Sequence, residues 1–266
     1  MKSLLNFICE AQDLTSEQEE QLQLLKDELE NLKYPDYVDR LQEMIKDPKF
    51  AAMIKSAFGG DTATVQLSED KKPIKTSKLL PTQNEIDVEK SLKRGLTHTE
   101  SIEMYFNEPV ELFAPLITYE GNFIIDGHHR WSQVASFNPS AKCTVINFKG
   151  DLNAREMLKA SQGTIAADTD KVPTKPVKGL NLLKESVSNL KKYIEENITD
   201  EVVAKLGEYV KKIVDKKSAV KYIINNIKKI QANNTPIDDA GSREHMPQTD
   251  TDSQFTDTIK KTTKIV

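Results

Sequence analysis

Within nine residues, Phe123-Ile124-Ile125-Asp126-Gly127-His128-His129-Arg130-Trp131 combines a short apolar run, an Asp-Gly turn, two histidines and an arginine. The pattern reads as a strand, a tight turn and the start of a helix. Such a turn gathers free backbone N–H groups and the positive end of a helix dipole at one point, which attracts phosphate. Gly127 lets the backbone approach an oxyanion and adopt a turn that bulkier residues cannot. His128 and His129 can donate to phosphate oxygens, and Arg130 can bind two of them at once. Asp126 either holds the magnesium that accompanies a nucleotide or caps the helix. A transition-metal site fits less well, because adjacent histidines diverge on a helix and no third ligand is evident.

The elements that must position this turn are legible on either side of it. Leu116 to Tyr119 and Asn122 to Ile125 read as two strands around Glu120-Gly121, a hairpin signal. Ala63 to Leu67 alternates like a strand, Cys143 to Phe148 reads as a buried strand, and Glu85 to Leu92 and Glu100 to Phe106 read as helices. Strands alternating with helices over residues 61–165 imply a compact mixed α/β (α+β) domain. Residues 1–60 read as a helical arm. Thr15 or Ser16 caps a helix with a Leu22, Leu25, Leu29, Leu32 stripe, Tyr34-Pro35 breaks it, a second helix presents Tyr37, Leu41, Met44 and Ile45, and a third ends at Phe58-Gly59-Gly60. Residues 166–180, with Pro173, Pro176 and Gly179, form a linker that wraps over the core. Residues 181–232 form a basic helical region, and 233–266 a polar, flexible tail.

Composition limits the function classes. The chain has 266 residues and a net charge of −4, which argues against a general nucleic-acid coat, although lysines crowd the segment 205–229. Two cysteines, Cys9 and Cys143, are too few for a disulfide framework, and their spacing fits no zinc motif. No apolar run reaches membrane-spanning length. The first residues turn acidic at Glu10 and Asp13, too soon for a signal peptide, so they read as a docking segment or a trimmed leader.

The segment from about Ile74 to Phe148 resembles the ParB/sulfiredoxin superfamily. The likeness rests on Leu79-Leu80-Pro81-Thr82-Gln83-Asn84-Glu85-Ile86 and on Pro115-Leu116-Ile117-Thr118 followed by Asn122 to Trp131. The resemblance implies a nucleotide, ATP, ADP or CTP with Mg2+, whose phosphates lie on Asp126, Gly127, His128, His129 and Arg130. It also implies that Thr82 and Gln83 contact a base or ribose, or shape the turn. Sulfiredoxins carry a cysteine where this chain has His128, so their redox chemistry is not implied. Free serine kinases of the superfamily share the Asp-Gly-His-His-Arg form, with an upstream glutamate as base. Glu85 matches that base and His129 joins it as a catalytic candidate, while the alternative for Glu85 is an ordinary acidic helix start.

Similar domains occur in tailed phages. The resemblance therefore implies a virion or assembly-associated component in an infected bacterial cytoplasm or a virion, not a secreted protein. Its partners would be a nucleotide, other proteins or a second copy through the helical arms, and nucleic acid through the C-terminal lysines, with no membrane. The alternatives are a Mg-nucleotide-dependent phosphotransferase or NTPase, and a ParB-like DNA-binding protein or nuclease.

Overall fold

The computed structural model describes residues 16–58, 68–172, 178–232 and 240–249, together with Asp257. The strand expected at Ala63 to Leu67 lies outside the described residues. Two units result, one formed by 1–70, 148–176 and 237–266, the other by 71–147 and 177–236.

The first unit is helical. Proline punctuation sets its early elements, α1 (Ser16–Asn31), α2 (Tyr34–Met44) and α3 (Pro48–Phe58). Pro35 falls in the first turn of α2, where a missing N–H costs nothing, beside the helix-favouring acid Asp36. Helix α2 buries Tyr34, Tyr37, Val38, Leu41 and Met44 on one face. Residues 240–249, expected within a flexible tail, instead fold in this unit. Ala240 and Met246 are buried, and Tyr34 Oη donates to the His245 carbonyl at 2.8 Å.

The second unit carries nearly all of a five-stranded mixed sheet. Its strands are β1 (Ser68–Lys75), β2 (Leu80–Pro81), β3 (Leu116–Tyr119), β4 (Phe123–Asp126) and β5 (Lys142–Lys149), in the order β1-β5-β3-β4-β2. Strands β3 and β4 pair antiparallel, with Tyr119 opposite Phe123, and β2 pairs parallel with β4, Pro81 opposite Ile124. Glu120 and Gly121 both have positive φ, 50° and 80°, and sit at the centre of a tight turn that the Asn122 N–H closes on the Tyr119 carbonyl at 3.3 Å. The α/β class read from the sequence is the class observed.

Three helices interleave with these strands: α4 (Val88–Thr97), α5 (Thr99–Phe106) and α6 (His128–Phe137). Helix α4 begins three residues later than expected, because Asp87 takes the cap position and accepts the Lys90 N–H at 2.9 Å. Gly95 permits the close approach of α4 and α6, since a Cβ there would collide with the Phe137 ring. After β5 the chain enters α7 (Ala154–Thr169), which belongs to the first unit and which no pattern in the sequence announces. Helix α7 is capped by Asn153 and Glu156 in a reciprocal box and buries side chains on every side.

The last helices are α8 (Val187–Asn197), α9 (Asp200–Tyr209) and α10 (Lys216–Ala232). The sequence places them in a region separate from the sheet. The structure gives one shared core: Leu190, Ile194, Val202, Leu206, Ile223 and Ile227 are buried in the same cluster as Leu92, Leu96, Trp131 and Phe137. Their stripes are covered within the unit, which removes them as a free arm. Among the described residues no helix is long and apolar enough to cross a membrane.

Candidate functional site

Gly127 stands between β4 and α6 with φ 97°, a left-handed conformation that favours glycine. Space enforces the same choice. A Cβ there would lie 2.7 Å from Leu116 Cδ2 and 3.1 Å from Arg130 Nη2. The guanidinium of Arg130 thus folds back over the turn. Its Nη2 donates to Asp126 Oδ2 at 2.6 Å and to the Pro115 carbonyl at 3.1 Å, tying the end of β4 to the entrance of β3. Both side chains of the ion pair keep about a quarter of their surface in solvent.

The two histidines reach back to a second segment. His128 is buried, and its Nε2 accepts the Thr82 backbone N–H at 3.1 Å. Thr82 Oγ1 lies 3.3 Å from the same nitrogen and donates to the Ile124 carbonyl at 2.5 Å. His129 Nε2 accepts the Asp87 backbone N–H, also at 3.1 Å. A ring nitrogen that accepts a backbone N–H carries no proton, so both imidazoles are neutral in this arrangement and their donor is Nδ1–H. The imidazoles therefore staple both ends of the loop Thr82–Asp87 to the start of α6.

That loop carries the remaining sequence candidates. Gln83 is buried and its amide donates to the Glu85 carbonyl, while Glu85 itself is half-buried. Sequence reasoning missed Asn181, which fixes the loop from its other side. Asn181 Oδ1 accepts the N–H groups of Ile86 at 3.1 Å and Leu183 at 3.0 Å, and its Nδ2 donates to the Asn84 carbonyl at 2.9 Å. Backbone bonds from Val88 to the Leu180 carbonyl and from Leu182 to the Ile86 carbonyl complete the strap. The end of the wrapping connection thus runs antiparallel to residues 86–88. The signal for Asn181 was a single amide after Gly179, visible only once its partner is known.

Trp131 belongs to the core. It is 1% exposed, and its Nε1 donates to the Thr76 carbonyl at 2.9 Å. Behind the turn, Ser132 Oγ lies 2.8 Å from Ser91 Oγ, which donates to the Asp87 carbonyl at 2.6 Å. These polar contacts lock α6 to the cap of α4.

No protein-family model matches this sequence, and no curated protein does. Among solved structures, a Pnob8-like ParB-N domain matches at 14% identity with a TM-score of 0.22. The match covers 64% of this chain and 65% of that one.

Chemically, the arrangement offers the positive end of the α6 dipole, a turn at Gly127 and, at its rim, the Arg130 guanidinium paired with Asp126. Those features suit an oxyanion. Among the described residues no group of three or more His, Cys, Asp and Glu side chains gathers as a metal site. The carboxylate expected to meet a nucleotide's magnesium, that of Asp126, already accepts from Arg130 Nη2 at 2.6 Å.

Proposed function

We propose that this chain is a ParB/sulfiredoxin-like protein of the tailed-phage type that binds a Mg-nucleotide and serves as a virion or assembly component. The phosphates rest on the turn Asp126–Arg130, and Thr82 and Gln83, both buried, shape the loop beside it. One observation carries the reading: His128 and His129 bind the amides of Thr82 and Asp87, which joins the two segments that the sequence resemblance singled out. Binding is favoured over catalysis because each Nε2 already accepts a backbone N–H, a positioning role rather than a proton-transfer role at that atom. The assembly role draws support from α1, where Leu24 is 65% exposed.

Calorimetric titration with MgATP, MgADP and MgCTP is the test. Saturable binding to at least one of them is expected, and binding of none overturns the reading. Light scattering of the full chain tests assembly: association that Leu24→Asp weakens supports it, and a monomer at every concentration removes it. A phosphotransferase would instead need Glu85 as base. In that case Glu85→Gln would cut turnover by roughly 10²-fold or more at saturating nucleotide.

A second reading, nucleic-acid binding, is favoured by one face of α10. Lys217, Lys221 and Lys228 are exposed at helical spacing, opposite buried Ile223, Ile227 and Ile230. Duplex DNA binding through this face would weaken with salt and fall on replacing the three lysines by glutamate. Anisotropy that ignores both changes excludes it.

A further inference from the structure

The loop between α5 and β3 holds an aromatic ring away from the protein. Phe113 is 100% exposed, the most exposed large apolar side chain among the described residues. Leaving such a ring in water forgoes the free energy that its burial would release. The loop around it is pinned. Val110 is fully buried, its N–H donates to the Lys142 carbonyl at 2.7 Å, and its carbonyl accepts the Thr144 N–H at 3.2 Å. Leu112 packs on the core and Ala114 is buried. Two residues beyond Phe113, the Pro115 carbonyl accepts from Arg130 at 3.1 Å. Consecutive Cα atoms are about 3.8 Å apart, so Phe113 stands within about 8 Å of the residue that Arg130 grips.

We infer that Phe113 is the stacking platform for the base of the nucleotide whose phosphates occupy the Gly127 turn. The inference rests on the proposed binding reading and adds the residue that makes the site prefer a nucleoside phosphate to bare phosphate. An aromatic face suits any base, because every base presents a π-face, and stacking is worth about 1–3 kcal/mol. Trp131, the other aromatic next to the turn, is committed to the core and cannot supply that face. Glu111 is exposed on the same loop, so the loop repels phosphate and suits the uncharged end of a nucleotide. The tethering through Pro115 and Arg130 places the base end and the phosphate end on one connected frame.

The test uses the full chain with three ligands, MgATP, MgCTP and magnesium tripolyphosphate, against wild type, Phe113→Ala and Phe113→Tyr. Because the ring is wholly exposed, none of these changes should move the thermal midpoint. The expected result is that Phe113→Ala weakens nucleoside triphosphate binding by about 5- to 150-fold. Tripolyphosphate affinity should stay unchanged, and Phe113→Tyr should restore nucleotide affinity. If tripolyphosphate and nucleotide bind wild type but Phe113→Ala affects neither, this inference fails and the turn reading stands. If Phe113→Ala leaves nucleotide affinity unchanged and abolishes self-association, the ring belongs to a protein interface and the inference is overturned. If no ligand binds wild type, the turn reading fails and this inference falls with it.

Discussion

His128 Nε2 accepts the backbone N–H of Thr82 at 3.1 Å, and this bond fixes the distance between a helix start and a loop far away in the chain. Thr82 is fully buried, so its amide cannot turn to water if the ring is lost. His128→Ala should therefore destabilise the protein by on the order of 1–3 kcal/mol, the cost of an orphaned buried donor. Hydrogen exchange gives the sharper readout. The Thr82 amide should lose protection in His128→Ala, and the Asp87 amide in His129→Ala, each with little effect on the other. Equal loss at both amides in either variant would mean that the loop melts as a whole.

The core should respond to alkali. Burial pushes the Cys143 thiol up to about 12, and the negative charge of Glu108 adds to it. Burial likewise pushes Tyr105 up to about 12, against the opposing pull of Arg94 and a Ser101 contact. Both groups hold their protons longer folded than unfolded. Once pH passes about 9, the unfolded chain binds fewer protons than the folded one, so stability falls as pH rises toward about 12. Below that window neither group changes stability. Urea midpoints at pH 8 and pH 10.5 should drop for wild type and drop less for Cys143→Ala. Identical drops would exclude the thiol. The Cys143 peptide should also resist alkylation at pH 8 until urea unfolds the chain.

What the sequence made legible was local. Asp126-Gly127 announced its turn because glycine relieves both a positive φ and a close contact with Arg130, and Glu120-Gly121 announced the hairpin for a related reason. The stripes of α8 to α10 were visible, yet the surface they cover was not, because a stripe gives a face and no partner. Helix α7 left no trace. Met157, Lys159, Gln162, Ile165 and Ala166 are buried on different sides of it, so small, polar and apolar residues follow one another without a period. The pattern Glu85 to Leu92 suits a helix from its first residue, but Asp87 caps α4, since its carboxylate meets the Lys90 N–H. Asn181 was illegible for another reason: two of its three hydrogen bonds reach residues almost a hundred positions earlier.

Within the first unit, Lys159 supplies a testable buried charge. It is 3% exposed, and its Nζ lies 2.8 Å from the Leu32 carbonyl, 3.1 Å from that of Leu29 and 3.2 Å from that of Glu30. An ammonium has three donors, and a cation at a helix C-terminus meets the negative end of the dipole. The Tyr37 ring lies 5.2 Å from the same nitrogen, and Tyr37 Oη donates to the Lys159 carbonyl at 3.0 Å. Lys159→Met keeps the stem and removes the charge. It should cost about 2–3 kcal/mol, read by chemical denaturation. Lys159→Arg should rescue poorly, because a planar fork cannot point at three carbonyls in this arrangement. A loss below about 0.5 kcal/mol in Lys159→Met would mean that solvent replaces the ammonium.

Arg130 has two candidate roles, and a cycle with Asp126 separates them. As a clip, its Nη2 holds Asp126 and the Pro115 carbonyl and so shapes the turn. As a ligand, the same guanidinium meets phosphate at the rim of that turn. Arg130→Ala alone cannot tell these apart, since it removes the clip and the charge together. Asp126→Asn weakens the clip and leaves the guanidinium. If Arg130 contacts phosphate, Arg130→Ala should weaken nucleotide binding by about 1.5–3 kcal/mol both in wild type and in the Asp126→Asn background, the scale of a lost charge-assisted hydrogen bond. Binding of the magnesium-free nucleotide in Asp126→Asn should then match wild type or improve, because a carboxylate no longer competes with phosphate for the guanidinium. If Arg130 is only a clip, Asp126→Asn should itself reduce affinity, and the added Arg130→Ala should change little. Calorimetry on the four proteins with one nucleotide decides between the two, and circular dichroism checks that each remains folded. The relative exposure of the pair, about a quarter on each side, favours the first outcome, because water and a phosphate can both reach a guanidinium that is only partly covered.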